Sequence, residues 1–271
     1  MCRALEVSRS GYHAFKTRPK SQNRRDNETL LIEIKRVFLE NYSAYGSPRI
    51  WNQLHNVEQM RCSENRVARV MRLNGVVAVQ KRKFRVTTSS KHDYPVWPNV
   101  LNRIFTVDRP NAVWVSDITY IWTWEGWLYL AVILDLFSRG IVGMAMDKTL
   151  EDTLITAAMR QAILRRNPGK GLILHSDRGS QFAGNDFKSI LTQNEFVGSM
   201  SKKGDCWDNA VVESFFHTLK VELVHRMKFK TRDEAKGKIF EYAQMYYNFK
   251  RAHSTLGYMS PMQYERQAVL S

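Results

Sequence analysis

LILHSDRGSQF (172–182) and DCWDNAVVESFFHTLK (205–220) are the stretches on which the fold turns. In the first, Leu172, Ile173 and Leu174 form a short apolar run that ends in His175, Ser176 and Asp177. This is the pattern of a buried strand delivering a carboxylate at its C-terminal end, where α/β sheets place their ligand crevices. In the second, Val212, Phe215, Phe216, Leu219 and Leu223 recur with the spacing of an amphipathic helix. Asp208 or Asn209 can cap its start. Glu213, His217 and Lys220 follow at i, i+4 and i+7. At about 100° per residue they share a face distinct from that of Phe215 and Leu219. A carboxylate with a cation two turns along suits a metal at one level and a phosphate at the next. Read alone, the same residues also describe an ordinary solvated polar stripe.

A third carboxylate shifts that balance. VWVSDITYI (113–121) is a β-branched and aromatic strand run with Asp117 in its middle. Carboxylates disfavour both the pleat and burial, so this one needs a compensating partner. A divalent cation is a good one: magnesium takes oxygen ligands, often one or two carboxylates plus substrate phosphates. Two such ions about 3.5–4 Å apart stabilise both the attacking and the leaving oxygen in phosphoryl transfer.

Asp117 in WVSDITYI, Asp177 in HSDRGSQF and Glu213 in DNAVVESFFHTLK resemble the Asp-Asp-Glu triad of retroviral-integrase-like transposases. Between Asp177 and Glu213 lie 35 residues, and Lys220 follows the glutamate by seven, both as in that family. From LEVSRSGYHAF near the start to YNFKRAHSTLGYMSPMQY near the end, the chain is similar to bacterial insertion-sequence transposases whose catalytic half lies in a second, frameshifted reading frame. The resemblance implies an α/β, ribonuclease-H-like integrase catalytic core, a mixed sheet with flanking helices. It implies that Asp117, Asp177 and Glu213 are catalytic and hold two Mg²⁺ (or Mn²⁺) ions. The reaction implied is strand nicking at element ends followed by transfer of the 3′-hydroxyl to another phosphodiester. The implied partner is double-stranded DNA, both the element's terminal inverted repeats and the target, engaged by a homo-oligomer. Residues 1–20 begin as if they followed another segment, so fusion with the product of an upstream frame is also expected.

Composition agrees. The 271 residues allow one or two domains, and 44% apolar content is that of a globular chain. The net charge of +15 calls for a polyanionic partner. That charge is uneven: residues 1–100 hold 19 Lys and Arg against 8 Asp and Glu, whereas residues 101–271 hold 22 against 18. Cys2, Cys62 and Cys206 make no CxxC pair and no zinc spacing, which suits a reducing cytoplasm, with the bacterial nucleoid as the expected location. The longest apolar run, Trp127–Leu134, is too short to span a membrane.

Residues 1–86 read as a helical, basic DNA-binding region. Asp26 is a candidate cap for a helix with Leu30, Leu31, Ile34, Val37 and Phe38 on one face. Ser47 and Pro48 open a second helix, and Ser63 caps a third, in which Val67, Val70 and Met71 point inward and Gly75 is the stop. Two short helices with an Arg-rich second member resemble a helix-turn-helix, in which Arg66, Arg69 and Arg72 lie along DNA; an ordinary helical hairpin with solvated arginines fits too. Lys81, Arg82, Lys83 and Arg85 follow as a basic arm for phosphates. Residues 87–110, with Pro95, Pro98 and Pro110, read as a linker, and 111–271 as the catalytic domain with its C-terminal helices. Strands are expected at 112–123, 127–136 and 140–146, a helix at 151–166, the Asp177 strand, a helix at 184–194, a strand at 196–200, the Glu213 helix, and a last long helix over 233–251.

Several residues invite other readings. Asp135 is read as a structural residue or a support behind the catalytic acids rather than a fourth one, and His175 as a packed or hydrogen-bonded neighbour of Asp177 rather than a metal ligand. Arg178 and Lys220 are the phosphate candidates. Pro168-Gly169-Lys170-Gly171 lacks the spacing of a P-loop. Trp207 suits either packing or stacking on a flipped base, and the Asn248, Arg251 and His253 cluster either supports the site from behind or touches DNA. Two rival functions remain beside transposition: a catalytically inactive fragment that only recognises element ends, and a general nuclease, which would leave the N-terminal helices unexplained.

Overall fold

The computed structural model describes residues 6–79, 97–102, 105–201 and 209–270. Lys81, Arg82, Lys83 and Arg85, the expected domain boundary at 86, Cys206 and Trp207 lie outside the described residues. The chain packs as two compact units, Met1–Ala78 and Val79–Ser271.

The first unit is helical: α1 (Arg9–Thr17), α2 (Gln22–Glu40), α3 (Ser47–Asn52), which widens into a π-helical turn at Gln53–Val57, and α4 (Glu64–Leu73). Two starts differ from expectation. Ser21, not Asp26, caps α2, its Oγ accepting the Arg24 N–H at 3.3 Å. Asp26 sits in the first turn and accepts from Gln22 Nε2 instead. Gly46, not Ser47, holds the cap of α3, with no side-chain cap bond; Pro48 in the first turn already removes a donor that would need one. Ser63 does cap α4, accepting the Arg66 N–H. The core of this unit is Leu30, Ile34, Val37, Ile50, Leu54, Val67, Val70 and Met71, drawn from the apolar faces of α2, α3 and α4.

The second unit is a five-stranded sheet in the order β3-β2-β1-β4-β5, with helices against it. β1 (Val113–Thr123), β2 (Gly126–Asp135) and β3 (Ile141–Asp147) form an antiparallel meander, and β4 (Ile173–Ser176) and β5 (Val197–Met200) run parallel to β1. α5 (Asp152–Arg166) crosses one face, over Trp114, Ala131, Ile133 and Val142. It lies so close to β3 that a Cβ on Gly143 would collide with the Ala158 carbonyl, which explains the glycine there. α6 (Ser180–Ala183) and α7 (Asn185–Gln193) connect β4 to β5. α8 (Ala210–Glu222) packs on β1 and β2, with Val212, Phe215 and Leu219 buried. α9 (Arg232–Phe240) runs into a π-helical stretch, Glu241–Tyr247, and α10 (Pro261–Leu270) closes the chain. Residues 97–102 lie against β5: Trp97 fills the space above Gly198, and Ser199 Oγ accepts the Val100 N–H at 3.0 Å.

Candidate active site

The sheet itself brings two of the three expected acids together. β1 and β4 pair in parallel from Val113↔Ile173 to Ser116↔Ser176, and there the ladder stops. Asp117, within β1, and Asp177, the residue after β4, come next, so they stand beside each other at the same height. Neighbouring strands lie about 4.8 Å apart. The gap that opens is filled by the start of α8. Asn209, the residue before it, is buried and donates from Nδ2 to the Ser116 carbonyl at 3.2 Å. Asn209 makes no side-chain cap: its amide bonds Ser116, the last residue of β1 paired with β4, rather than its own helix, and Asp208, the other candidate, lies outside the described residues. That contact docks α8 with Glu213 one turn on.

The three acids bear on one another electrostatically. Burial raises the Asp117 carboxyl well above its ordinary value, the charges of Asp177 and Glu213 raise it further, and the Ile118 N–H and Lys220 oppose this. Glu213 is raised by burial and by Asp177. Lys220 is lowered by burial, with Asp117 working against that shift. Three acids and one lysine therefore share one electrostatic neighbourhood. Asp117 Oδ1 accepts the Ile118 N–H at 2.7 Å, and Asp177 Oδ1 accepts the Gly179 N–H at 2.8 Å. A side chain at position 179 would press on that same Asp177 oxygen, 3.0 Å away, so glycine keeps the turn tight. Among the described residues no group of three or more His, Cys, Asp or Glu side chains is placed to hold a metal ion by itself. The donor set is all hard oxygen, which fits magnesium or manganese, ions that usually complete their shell with waters and substrate phosphates.

The other expected residues sort themselves around this centre. His175 is fully buried, with Nδ1 2.9 Å from Ser199 Oγ and Nε2 3.2 Å from Ser201 Oγ, so it packs behind Asp177. Arg178 donates from Nε to the Ser201 carbonyl at 2.7 Å. Lys220 lies 5.1 Å from the centre of the Tyr120 ring.

The similarity of the chain to known proteins covers nearly its full length. It is 43% identical over 249 residues to the transposase for insertion sequence element IS904 of Lactococcus lactis, spanning 92% of this chain and 98% of that one. It is 38% identical over 272 residues to transposase InsF for insertion sequence IS3A of Escherichia coli, spanning 98% and 93%. The chain belongs to the integrase-core transposases of bacterial insertion sequences. The model for an integrase core domain matches residues 107–206, a second integrase core model matches 213–269, and an HTH-like domain model matches 24–84. In fold, the chain is similar to the cryo-EM structure of a simian T-cell lymphotropic virus intasome in complex with PP2A regulatory subunit B56 gamma. The TM-score is 0.50 at 14% identity, covering 79% of this chain and 73% of that one.

Two ambiguities left by the sequence of this transposase are resolved by burial. Asn248, Arg251 and His253 are all buried, so the cluster is part of the packed fold. Asn248 bonds both the N–H and the carbonyl of Ile141, and Arg251 forms an ion pair with Glu222 at 2.7 Å, completed by the Tyr242 hydroxyl at 2.6 Å. Asp135 belongs to a separate network, described below. In the helical unit Arg66 donates from Nε to Asn27 and approaches Asp26, which staples α4 to α2, whereas Arg69 and Arg72 are exposed. Sequence reasoning missed Ser199, Ser201 and the true bond of Asn209; only the register of β1, β4 and β5 shows them to be neighbours. Among the described residues no helix is long and apolar enough to cross a membrane.

Proposed function

We propose that this protein catalyses DNA transposition: metal-dependent cleavage at the ends of its insertion sequence, then transfer of the exposed 3′-hydroxyl to target DNA. The observation that carries this reading is the β1/β4 register, which sets Asp117 and Asp177 side by side, with α8 bringing Glu213 to them. Two Mg²⁺ or Mn²⁺ ions, when bound, supply an activated water or 3′-hydroxyl and stabilise the leaving oxygen. Asp117, Asp177 and Glu213 would hold them, divalent charge favouring the ionised carboxylates that burial disfavours at Asp117 and Glu213. Lys220 and Arg178 position phosphate, their cations standing at the edge of an acidic centre they cannot ligate. The helical unit grips duplex DNA, chiefly at phosphates, through Arg69 and Arg72, with Arg66 at their base and Lys81, Arg82, Lys83 and Arg85 beyond. Synapsis of two ends calls for at least two copies of the chain on DNA.

The test is incubation of the full chain with DNA carrying the element's own ends, with Mg²⁺ or with EDTA. Nicks at the ends and joined products are expected with metal alone. A folded protein that binds those ends but never cuts them would reduce this reading to a terminal-repeat binder. Binding should also weaken steeply with salt, as phosphate contacts do.

A further inference from the structure

The β1–β2 hairpin carries a cluster of aromatic rings that none of this chemistry uses. Tyr120, Trp122, Trp124 and Trp127 are 41%, 56%, 66% and 43% exposed. Trp127 makes edge-to-face contacts with Tyr120 and Trp122, at 5.1 and 4.8 Å between centres, and such contacts leave one face in each pair uncovered. Exposing this much aromatic surface in one place marks an interaction site.

Its borders indicate the partner. At the inner end Lys220 lies against Tyr120 and shares the charge field of Asp117, which stands three residues and about 10 Å back along the strand, its side chain on the other face of the sheet. At the outer end the Trp124 N–H donates to the Phe229 carbonyl at 3.1 Å, and Phe229 is flanked by the exposed Lys228 and Lys230. The one acid of the tip, Glu125, already accepts the Arg232 N–H. Rings interleaved with cations are how proteins hold single-stranded nucleic acid, the bases stacking while the phosphates meet lysines. A duplex hides its base faces. A second copy of the chain would set lysines against lysines across a two-fold axis.

We propose that this hairpin is a stacking platform for an unpaired stretch of DNA leading away from the reacting phosphate. The proposal deepens the transposase reading and rests on it. It assigns Tyr120, Trp122, Trp124 and Trp127 to bases and Lys228 and Lys230 to phosphates.

The experiment titrates the full chain, in EDTA, with a short oligothymidylate and separately with a duplex of equal length. The oligothymidylate should quench tryptophan emission. Trp122→Ala combined with Trp124→Ala should weaken single-strand binding at least about tenfold, two stacking contacts being removed, and change duplex affinity less than about twofold. Unchanged single-strand affinity in a folded double variant overturns the proposal. So does a loss of self-association at constant single-strand affinity, which would give the patch to a second copy. Should the double variant fail to fold, photocrosslinking of a bromodeoxyuridine oligonucleotide to the unaltered chain decides. Adducts within 120–127 support the platform, and adducts only elsewhere refute it. Because metal and cleavage play no part in these measurements, a chain that binds single strands but cuts nothing would sink the transposase reading and not the platform.

Discussion

Asp117 and Asp135 stand on adjacent strands, both inside apolar runs and both pushed upward by burial, yet they are opposites. Asp135 is fully buried and surrounded by donors. Its Oδ2 accepts the Asn111 N–H at 2.7 Å, its Oδ1 accepts the Phe137 N–H at 2.9 Å, and Arg166 stands 3.7 Å away, itself paired with Glu265. These contacts oppose the desolvation, and the carboxyl settles at about 6. Asp117 has one local N–H and faces two other acids. A buried carboxylate that the fold satisfies is structural. One that the fold leaves facing like charges, with Lys220 set against them, is the kind of group found at functional sites. Burial alone does not separate the two; the identity of the facing groups does.

The sharpest break between them lies in activity. Asp117→Asn, Asp177→Asn and Glu213→Gln each keep shape and delete charge. Each should lower end cleavage by several orders of magnitude in a folded protein, measured on DNA ends with Mg²⁺, whereas Asp135→Asn should retain measurable cleavage. A fully active Glu213→Gln protein would end the triad assignment. Stability should invert the ranking. Asp135→Asn leaves one backbone donor without an acceptor, and denaturant unfolding should show a loss of about 1–3 kcal/mol. The pH dependence follows with its sign fixed. The folded chain keeps the Asp135 proton up to about pH 6, whereas the unfolded chain releases it near 3.8. This group's contribution to stability therefore falls as pH rises through that window and is level above it. Comparing the original with Asp135→Asn across pH 4–7 should show that slope, at most about 1.4 kcal/mol per unit, vanish in the variant. The smallest effect is expected at Asp117→Asn without metal: thermal melting unchanged or slightly raised, since repulsion and burial of a charge are both relieved. Added Mg²⁺ should then raise the melting temperature of the original more than that of the variant. A large loss of stability in Asp117→Asn would show that the fold, too, depends on that charge.

The legible parts of this chain were those written locally. Strand runs with β-branched and aromatic residues, the 3.6-residue rhythm of α8 and the acids at strand ends sufficed for the order of elements and the sheet, and the resemblance of the three motifs named the fold family. What escaped was non-local. Nothing near Glu222 announces Arg251, 29 residues on, and nothing near Asn209 announces Ser116. Asp26 was a sound cap candidate, overruled by Ser21 because a helix starts at the first good cap that its packing allows. The arginines of α4 look alike in sequence, but only folding puts Arg66 against Asn27 and leaves Arg69 exposed.

The pairing of Glu222 with Arg251 and Tyr242 has a consequence for how α8 tolerates change in length. Glu213 and Glu222 ride the same rigid cylinder, nine residues apart, and the far one is clamped. The clamp sets the compass bearing of the whole helix, and so the direction in which Glu213 points. One residue inserted between them would swing Glu213 by about 100°. Seven would return it to nearly the same bearing, but about 10 Å too far along the axis. Bearing and height cannot be restored together, so the interval between these two glutamates behaves as a fixed gauge.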